Sequence, residues 1–165
     1  GLRGFTRKFC KRFCPSTEML RALLLACLMS LCCANVIHNY KDCGSQGGTI
    51  HSVEVPLCTH EPCQLHRGTT YEINVNFTAT EHSNTATTVV HGILLGIPLP
   101  FPVPSDSCKD HNVHCPVEPG TEVSYHNSIY CNPSYPKVRV TAKWEIRDDN
   151  HRPMICFEIP LQIVS

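Results

Sequence analysis

Tyr71-Glu72-Ile73-Asn74-Val75-Asn76-Phe77-Thr78 decides the fold. Every odd position is apolar and every even position is polar, which is the period of two that puts one row of side chains into a core. The same alternation recurs in 138–147, where the even positions are apolar, and in 155–163, where the odd positions are apolar. Shorter candidate strands are 50–55, 87–95 and 121–125.

Turn-forming residues separate these strands. The chain contains 13 Pro and 9 Gly, and no long stretch of 35–165 has a helical period. Several alternating strands joined by turns within about 130 residues are typical of an antiparallel β-sandwich. The sequence therefore predicts an all-β domain.

A nearly uncharged run, Val89-Val90-His91-Gly92-Ile93-Leu94-Leu95-Gly96-Ile97-Pro98-Leu99-Pro100-Phe101-Pro102, lies in the middle of the chain. It is too short to cross a membrane, since a span needs about 20 unbroken apolar residues. Its first half is typical of a buried strand. Its prolines cannot donate to a β-ladder, so Ile97, Leu99 and Phe101 are expected on an edge strand or loop. Such residues fill a core, contact a partner or border a pocket, and the pattern alone leaves the three open.

The N-terminal region predicts a processing segment. Met19-Leu20-Arg21 precedes an apolar stretch of about ten residues that ends at Cys32-Cys33-Ala34, so 19–34 is typical of a secretory signal peptide. The alternative, a short membrane anchor, is disfavoured because the apolar stretch is so brief. Residues 1–18 precede the expected start and are interpreted as read-through of an untranslated region rather than as a basic nucleic-acid-binding arm. The folded domain is then 35–165.

Removal of residues 1–34 changes the charge of the chain. The full chain is formally neutral, whereas 35–165 keeps 8 Lys and Arg against 13 Asp and Glu, a formal charge of −5 at pH 7. All ten His lie in this part, and an unperturbed His titrates near pH 6.5. Protonation of these His would bring the formal charge of 35–165 to about +5 at pH 5, which suggests that the protein works in an acidic compartment. We expect no nucleic-acid partner.

Seven Cys remain after the expected cleavage: Cys43, Cys58, Cys63, Cys108, Cys115, Cys131 and Cys156. In an oxidising compartment this number predicts a disulfide framework with one thiol left over. Cys58 with Cys63, and Cys108 with Cys115, are close enough to pair locally. Of the remaining three, Cys43 and Cys156 are favoured, because closing about 113 residues stabilises by roughly 4 to 5 kcal/mol on the chain-entropy model.

No catalytic or metal motif emerges. His60, His111 and His114 lie near cysteines, but their spacing matches no standard zinc site, and secreted thiols oxidise in preference. Cys131 with His126 nearby would be a candidate nucleophile, although a small buried hydrophobe is the favoured interpretation. The sequence predicts no enzyme, no metal site and no cofactor.

Asn76-Phe77-Thr78 is the only N-x-[ST] sequon in the chain. Asn76 is on the polar face of its predicted strand, so a glycan attached there would point to solvent. The sequence therefore predicts glycosylation at Asn76.

Several segments resemble the ML lipid-recognition family, and within it the Niemann–Pick type C branch of soluble cholesterol-transfer proteins. They are Lys41-Asp42-Cys43-Gly44-Ser45, Pro62-Cys63-Gln64-Leu65, Val89-Val90-His91-Gly92-Ile93-Leu94, Pro100-Phe101-Pro102 and Glu158-Ile159-Pro160-Leu161-Gln162-Ile163-Val164-Ser165. The resemblance covers about 40–165. It implies an immunoglobulin-like sandwich of about seven antiparallel strands with a sterol pocket between the sheets. It also implies the disulfides Cys43–Cys156, Cys58–Cys63 and Cys108–Cys115.

The resemblance implies a set of ligand-binding residues. In the family an aromatic residue in the Pro-rich loop and a Tyr before a Pro flank the pocket mouth, and Phe101 and Tyr135 match these positions. Cys131 stands where the family typically has a Val at the mouth. The glycosylated Asn of the family usually lies at the position of Asn74, which has no sequon here. The expected inward pocket residues are Val55, Leu65, Tyr71, Ile73, Trp144 and Phe157.

The function implied by the resemblance is that of a secreted sterol carrier of late endosomes and lysosomes, with cholesterol or a related sterol as its ligand. It implies a monomer that passes sterol to the luminal domain of a membrane transporter, docking near Leu95, Gly96 and Ile97. Transient contact with anionic membranes is expected as well. The alternative is an ML protein that binds glycolipid, fatty acid or a semiochemical in immunity or chemosensation, because ligand classes diverge readily on one fold.

Overall fold

The structure is a computed structural model that describes residues 36–165. The predictions for 1–18 and for a signal peptide at 19–34 lie outside the described residues. Within 36–165, no helix has the length and hydropathy needed to cross a membrane. This part of the chain contains nine strands: β1 (Lys41–Asp42), β2 (Gly48–Glu54), β3 (Cys63–His66), β4 (Thr70–Ala79), β5 (Thr87–Leu94), β6 (Ile97–Phe101), β7 (Glu122–Tyr130), β8 (Arg139–Arg147) and β9 (Pro153–Val164).

The strands form two sheets. A six-stranded sheet runs in the order β1-β9-β8-β5-β6, with β3 also paired to β9, and a three-stranded sheet runs β2-β4-β7. This confirms the predicted all-β sandwich. The prediction of about seven antiparallel strands differs in two respects: β1 and β3 are additional short strands, and β3 pairs with β9 in parallel. Strands of two and four residues are too short to show a period.

The core follows the alternation in the sequence. In β4 the odd positions from Tyr71 to Phe77 are buried, as predicted. From the opposite sheet, Trp144 stacks on Phe157 with ring centroids 6.5 Å apart and an interplanar angle of 12°. Tyr125 of β7 meets the Trp144 ring edge-on at 6.3 Å. The contact between Tyr125 and Trp144 joins the two sheets in the core, whereas Trp144 and Phe157 lie on paired strands of one sheet.

Two of the three predicted disulfides are present. Cys43–Cys156 links the residue after β1 to β9, and Cys108–Cys115 closes a loop between β6 and β7. The prediction of a Cys58–Cys63 bond is not met, because both residues are buried thiols in the structure. The Cys58 thiol donates a hydrogen bond to the His60 carbonyl at 3.4 Å. Burial, together with the neighbouring Cys58, raises the pKa of Cys63, which keeps it protonated.

The Pro-rich run forms a hairpin at the edge of the six-stranded sheet. Strands β5 and β6 are joined by Leu95 and Gly96, whose φ angles are 51° and 83°. Two consecutive positive φ angles are typical of the tight turns that match strand twist, and glycine adopts them readily. Strand β6 pairs only with β5, so the expectation of an edge position for Ile97, Leu99 and Phe101 is confirmed.

Candidate functional site

A cavity of about 260 Å³ lies between the two sheets at the end where the β5–β6 hairpin stands. Most of its wall belongs to the six-stranded sheet, and Ile129 of β7 contributes from the other sheet. The segment after β7, which includes Cys131, Tyr135 and Val138, completes the lining. The lining is almost wholly apolar and contains no Asp, Glu, Lys or Arg.

Small side chains on paired strands leave this space open. Gly92 of β5 pairs with Ala142 of β8, and both line the cavity. A Cβ atom added to Gly92 would meet the Cγ2 atom of Val140 at 3.3 Å, so β8 packs closely against the glycine. Trp144, two residues beyond Ala142 on the same face, forms another part of the wall. The cavity therefore results from two small residues facing inward beside large ones.

Two aromatic residues meet at the mouth. The rings of Phe101 and Tyr135 contact each other edge-on, with centroids 5.9 Å apart and an interplanar angle of 64°. Phe101 is the last residue of β6 and pairs with Val90. Tyr135 lies in a turn in which its N–H donates to the Asn132 carbonyl at 3.0 Å. Both aromatic residues line the cavity, so the structure brings together the two residues predicted to flank it.

Cys131 lines the cavity as an apolar group. It is 2% exposed, and its N–H donates to the Thr69 carbonyl at 2.9 Å. Burial raises the pKa of the thiol, and the positive charge of Arg67 offsets only part of this rise. A protonated, buried thiol is a poor nucleophile, which favours the interpretation of Cys131 as a small hydrophobe.

The predicted ligand-binding residues separate into two groups. Leu65 and Trp144 line the cavity together with Phe101, Tyr135 and Cys131. The other four predicted residues are buried in the core and are not part of the lining: Val55, Tyr71, Ile73 and Phe157.

Tyr71 and Phe157, two residues of this second group, contact other residues of the core. The hydroxyl of Tyr71 accepts a hydrogen bond from the His66 N–H at 2.7 Å. The ring of Phe157 is stacked on Trp144.

Several lining residues were missed by the sequence reasoning. Gly92 and Leu94 of β5, Leu99 of β6 and Ala142 of β8 all face the cavity. The alternation in 138–147 already predicted that Ala142 faces inward. At Gly92 and Ala142, the feature that could have indicated a cavity is the small size of the side chain, not its polarity.

A buried polar network anchors the chain that follows Phe101. The hydroxyl of Thr88 lies 2.7 Å from those of both Ser107 and Tyr125, and the Asn127 amide donates to the Tyr125 hydroxyl at 2.7 Å. The same amide group approaches the Pro104 carbonyl at 3.4 Å. Burial raises the pKa of Tyr125, so its hydroxyl stays protonated. The network holds the loop beyond the mouth against β5 and β7.

The predicted docking residues lie at the tip of the β5–β6 hairpin. Leu95 is 95% exposed and Ile97 is 62% exposed, with Gly96 between them. Leu99, which lines the cavity, is half exposed. The tip is therefore an apolar surface that continues into the rim of the cavity.

Asn76 is partly buried on the outer side of β4. Its side-chain amide donates to the Ser52 hydroxyl at 2.9 Å, and a glycan would be attached to this same Nδ2 atom, which would keep one N–H. Among residues 36–165, His, Cys, Asp and Glu side chains form no group of three or more that could hold a metal ion.

The comparison with protein-family models is decisive for the family. Residues 38–163 match the model of the ML domain. The chain belongs to the ML-domain family. It is 40% identical over 155 residues to NPC intracellular cholesterol transporter 2 of Mus musculus, a match that covers 93% of this chain and 99% of the mouse protein.

Two solved structures share this architecture. The crystal structure of a Niemann-Pick type C2 protein from the Japanese carpenter ant matches with a TM-score of 0.72 and 25% identity, covering 76% of this chain and 98% of that chain. Chicken MD-1, solved in complex with lipid IVa, matches with a TM-score of 0.53 and 14% identity over 77% of this chain and 94% of that chain. The second likeness concerns the fold alone.

Proposed function

We propose that this ML-domain protein binds an unesterified sterol, cholesterol or a close relative, in the cavity between its sheets and transports it. The observation that carries the proposal is the almost wholly apolar cavity of about 260 Å³, which is lined by the paired rings of Phe101 and Tyr135. The 40% sequence identity of this chain to a mouse protein named as a cholesterol transporter supports the choice of sterol as the ligand.

The energetics suit a carrier. A sterol is a flat apolar body with one hydroxyl, and burying several hundred Å² of it contributes roughly 10 kcal/mol at about 25 cal/mol per Å². Association costs about 4 kcal/mol or more, which leaves binding that is useful and reversible. Transport of this kind makes and breaks no covalent bond, so the protein acts as a carrier and not as an enzyme.

The lining favours a sterol over an anionic lipid. A buried carboxylate or phosphate without a partner is strongly disfavoured, and the cavity wall offers no Lys or Arg to pair with one, His91 being its only side chain that can become cationic. A neutral ligand whose single hydroxyl reaches the mouth avoids this cost. A glycolipid, fatty acid or semiochemical in immunity or chemosensation remains the second candidate function, because the ML fold is shared with chicken MD-1.

Trp144 provides the test of ligand class. It is the only Trp in the chain and it lines the cavity, so its emission should transfer energy to a fluorescent sterol bound there. We expect saturable transfer that unlabelled cholesterol abolishes and palmitate does not. Displacement by palmitate with no competition from cholesterol would refute the sterol proposal and support the second candidate.

We also propose that the protein is a secreted monomer that works in late endosomes and lysosomes, where it passes sterol to the luminal domain of a membrane transporter. The exposed tip at Leu95 and Ile97 supports this, because it adjoins the rim and would bring a docked partner close to the ligand. We expect Leu95→Ser to slow transfer without weakening sterol binding. Leu57→Ser is the matched control, since Leu57 is 58% exposed but does not line the cavity. Equal slowing by both substitutions would contradict a specific role for the tip.

Transient contact with anionic membranes forms part of the same proposal. The part of the chain from 35 to 165 has a formal charge of −5 with its ten His neutral, and every His that gains a proton on acidification makes this charge more positive. We therefore expect transfer to anionic vesicles to accelerate as the pH falls from 7 to 5, and transfer to neutral vesicles to change less. A flat pH profile with anionic vesicles would rule this out.

A further inference from the structure

Arg67 connects the mouth to the body of the sandwich. It lies in the turn between β3 and β4, and its Nη1 atom donates to the carbonyl of Pro133 at 3.2 Å and to that of Tyr135 at 3.4 Å. Both carbonyls belong to the turn that carries Tyr135. The Arg67 guanidinium is thus bonded to two backbone carbonyls of the turn that places Tyr135 at the mouth.

The turn is held at its other end by the backbone. The Gly68 N–H donates to the Cys131 carbonyl at 2.6 Å, and the Cys131 N–H donates to the Thr69 carbonyl at 2.9 Å. Within the turn, the Asn132 side chain accepts from the Ser134 N–H at 2.9 Å. The turn is therefore internally braced and fixed at Cys131, and its Tyr135 end is tied to the β3–β4 turn through Arg67.

We propose that Arg67 is a positioning residue: it holds the Tyr135 turn against Phe101 and thereby sets how fast a bound ligand leaves the cavity. The effect of Arg67 on the rate of ligand release rests on the proposed function, whereas its positioning of the Tyr135 turn does not.

The chemistry of the guanidinium suits this role. Both bonds come from the single Nη1 atom, whose two N–H groups lie in the plane of the stiff guanidinium, so one side chain can donate to two carbonyls. Hydrogen bonds from a charged donor are stronger than those between neutral groups. Burial raises the pKa of the Cys131 thiol, and the positive charge of Arg67 offsets part of this rise.

The first experiment measures release of a fluorescent sterol from Arg67→Met, Arg67→Lys and Lys109→Met. Arg67→Met removes both hydrogen bonds and should speed release about tenfold, the effect of one charged hydrogen bond. Arg67→Lys keeps the charge and a nitrogen that can donate to two carbonyls, but places it on a flexible side chain without the planar guanidinium, so it should give an intermediate rate. Lys109 is an exposed cation in the Cys108–Cys115 loop, and its removal should leave the rate unchanged. Release from Arg67→Met at the wild-type rate would overturn the proposal.

The second experiment needs no ligand. In ligand-free protein, the alkylation rate of Cys131 by a maleimide, followed by peptide mass spectrometry, reports how often the mouth opens. Loss of the Arg67 charge would by itself raise the pKa of the thiol and slow alkylation. Faster alkylation in Arg67→Met, about fivefold or more if opening rises with the loss of one hydrogen bond, must therefore come from opening. Alkylation at or below the wild-type rate would overturn the proposal.

Hydrogen exchange of the β4 amides separates local opening from general loss of stability. We expect no change in β4 exchange for Arg67→Met, and a rise as large as that in Cys131 alkylation would overturn the positioning role. If the wild-type protein binds no sterol but Arg67→Met still accelerates alkylation alone, the proposed function fails while the role of Arg67 at the mouth stands.

Discussion

Filling the cavity with a side chain should make the protein more stable and prevent it from binding sterol. Ala142 is the position for this test because it faces the cavity from the middle of β8. At about 24 cal/mol per Å³, an empty space of about 260 Å³ represents roughly 6 kcal/mol of stability that a filled core would have. Ala142→Leu adds three carbons, each worth about 0.8 kcal/mol when buried, or roughly 2.4 kcal/mol as an upper limit.

The expected gain is smaller than this limit, because the cavity is partly open and the new side chain loses rotamer freedom. We expect about 1 to 2 kcal/mol in the free energy of unfolding, or a rise in Tm of several degrees for a domain of this size. The same carbons occupy the space of the ligand, so sterol affinity should fall by about tenfold or more. Thermal unfolding and sterol titration on one preparation measure both effects.

Thr141→Leu is the matched control. Thr141 precedes Ala142 on β8 and therefore faces the other side of the sheet, where it pairs with Ile93 and Pro160. It should leave sterol affinity unchanged. Wild-type affinity in Ala142→Leu would show that the ligand does not occupy this space. A fall in Tm in that variant would show that the space is not open in the ligand-free protein.

Three further outcomes are expected. Phe101→Ala removes part of the cavity lining and the edge contact with Tyr135, an aromatic pair worth about 0.5 to 1.5 kcal/mol beyond its buried area; it should lower Tm by several degrees and weaken sterol binding about tenfold, and unchanged affinity would refute its role at the mouth. The hydrogen bond that His82 donates to the Glu118 carboxylate raises the pKa of the exposed His82, so the stabilisation that this pair contributes to the fold is complete below pH 6.5 and is lost as the pH rises through the folded-state pKa. His82→Gln should therefore lower Tm at pH 5 and not at pH 8, and an equal loss at both pH values would contradict this. Asn76→Gln should remove one glycan from the secreted protein, measured as intact mass, and an unchanged mass would show that the sequon is not used.

The fold was predictable where long strands have one face in the core. In β4 the alternation from Tyr71 to Phe77 set both the element and its buried face. In β3 only Cys63 and Leu65 face inward, and two positions do not define a period. Its parallel pairing with β9 depends on where the chain returns in space, which local pattern does not contain.

The site was predictable in part, for a related reason. Pattern placed Phe101 at an edge, and family resemblance assigned it with Tyr135 to the mouth, where both line the cavity. An empty volume, however, depends on residues from several strands. The pattern placed Ala142 inward and Gly92 in a buried strand, but it gave no sign that the space beside them is open.

The cysteines show the limit of spacing arguments. The short separation of Cys58 and Cys63 permits a bond, but separation alone does not bring the sulfur atoms together with the required geometry. In the structure the two residues remain thiols.

The prolines of β6 also bear on how this protein behaves at high concentration. An edge strand that displays Ile97 and Leu99 to solvent would ordinarily be a template for another strand and a starting point for aggregation. Pro98 and Pro100 occupy alternate positions of that edge, and a strand proline lies where its missing N–H would have faced solvent. The donors that an incoming strand would need are therefore absent. The chain can keep an apolar rim exposed beside its cavity and still resist polymerising through its edge.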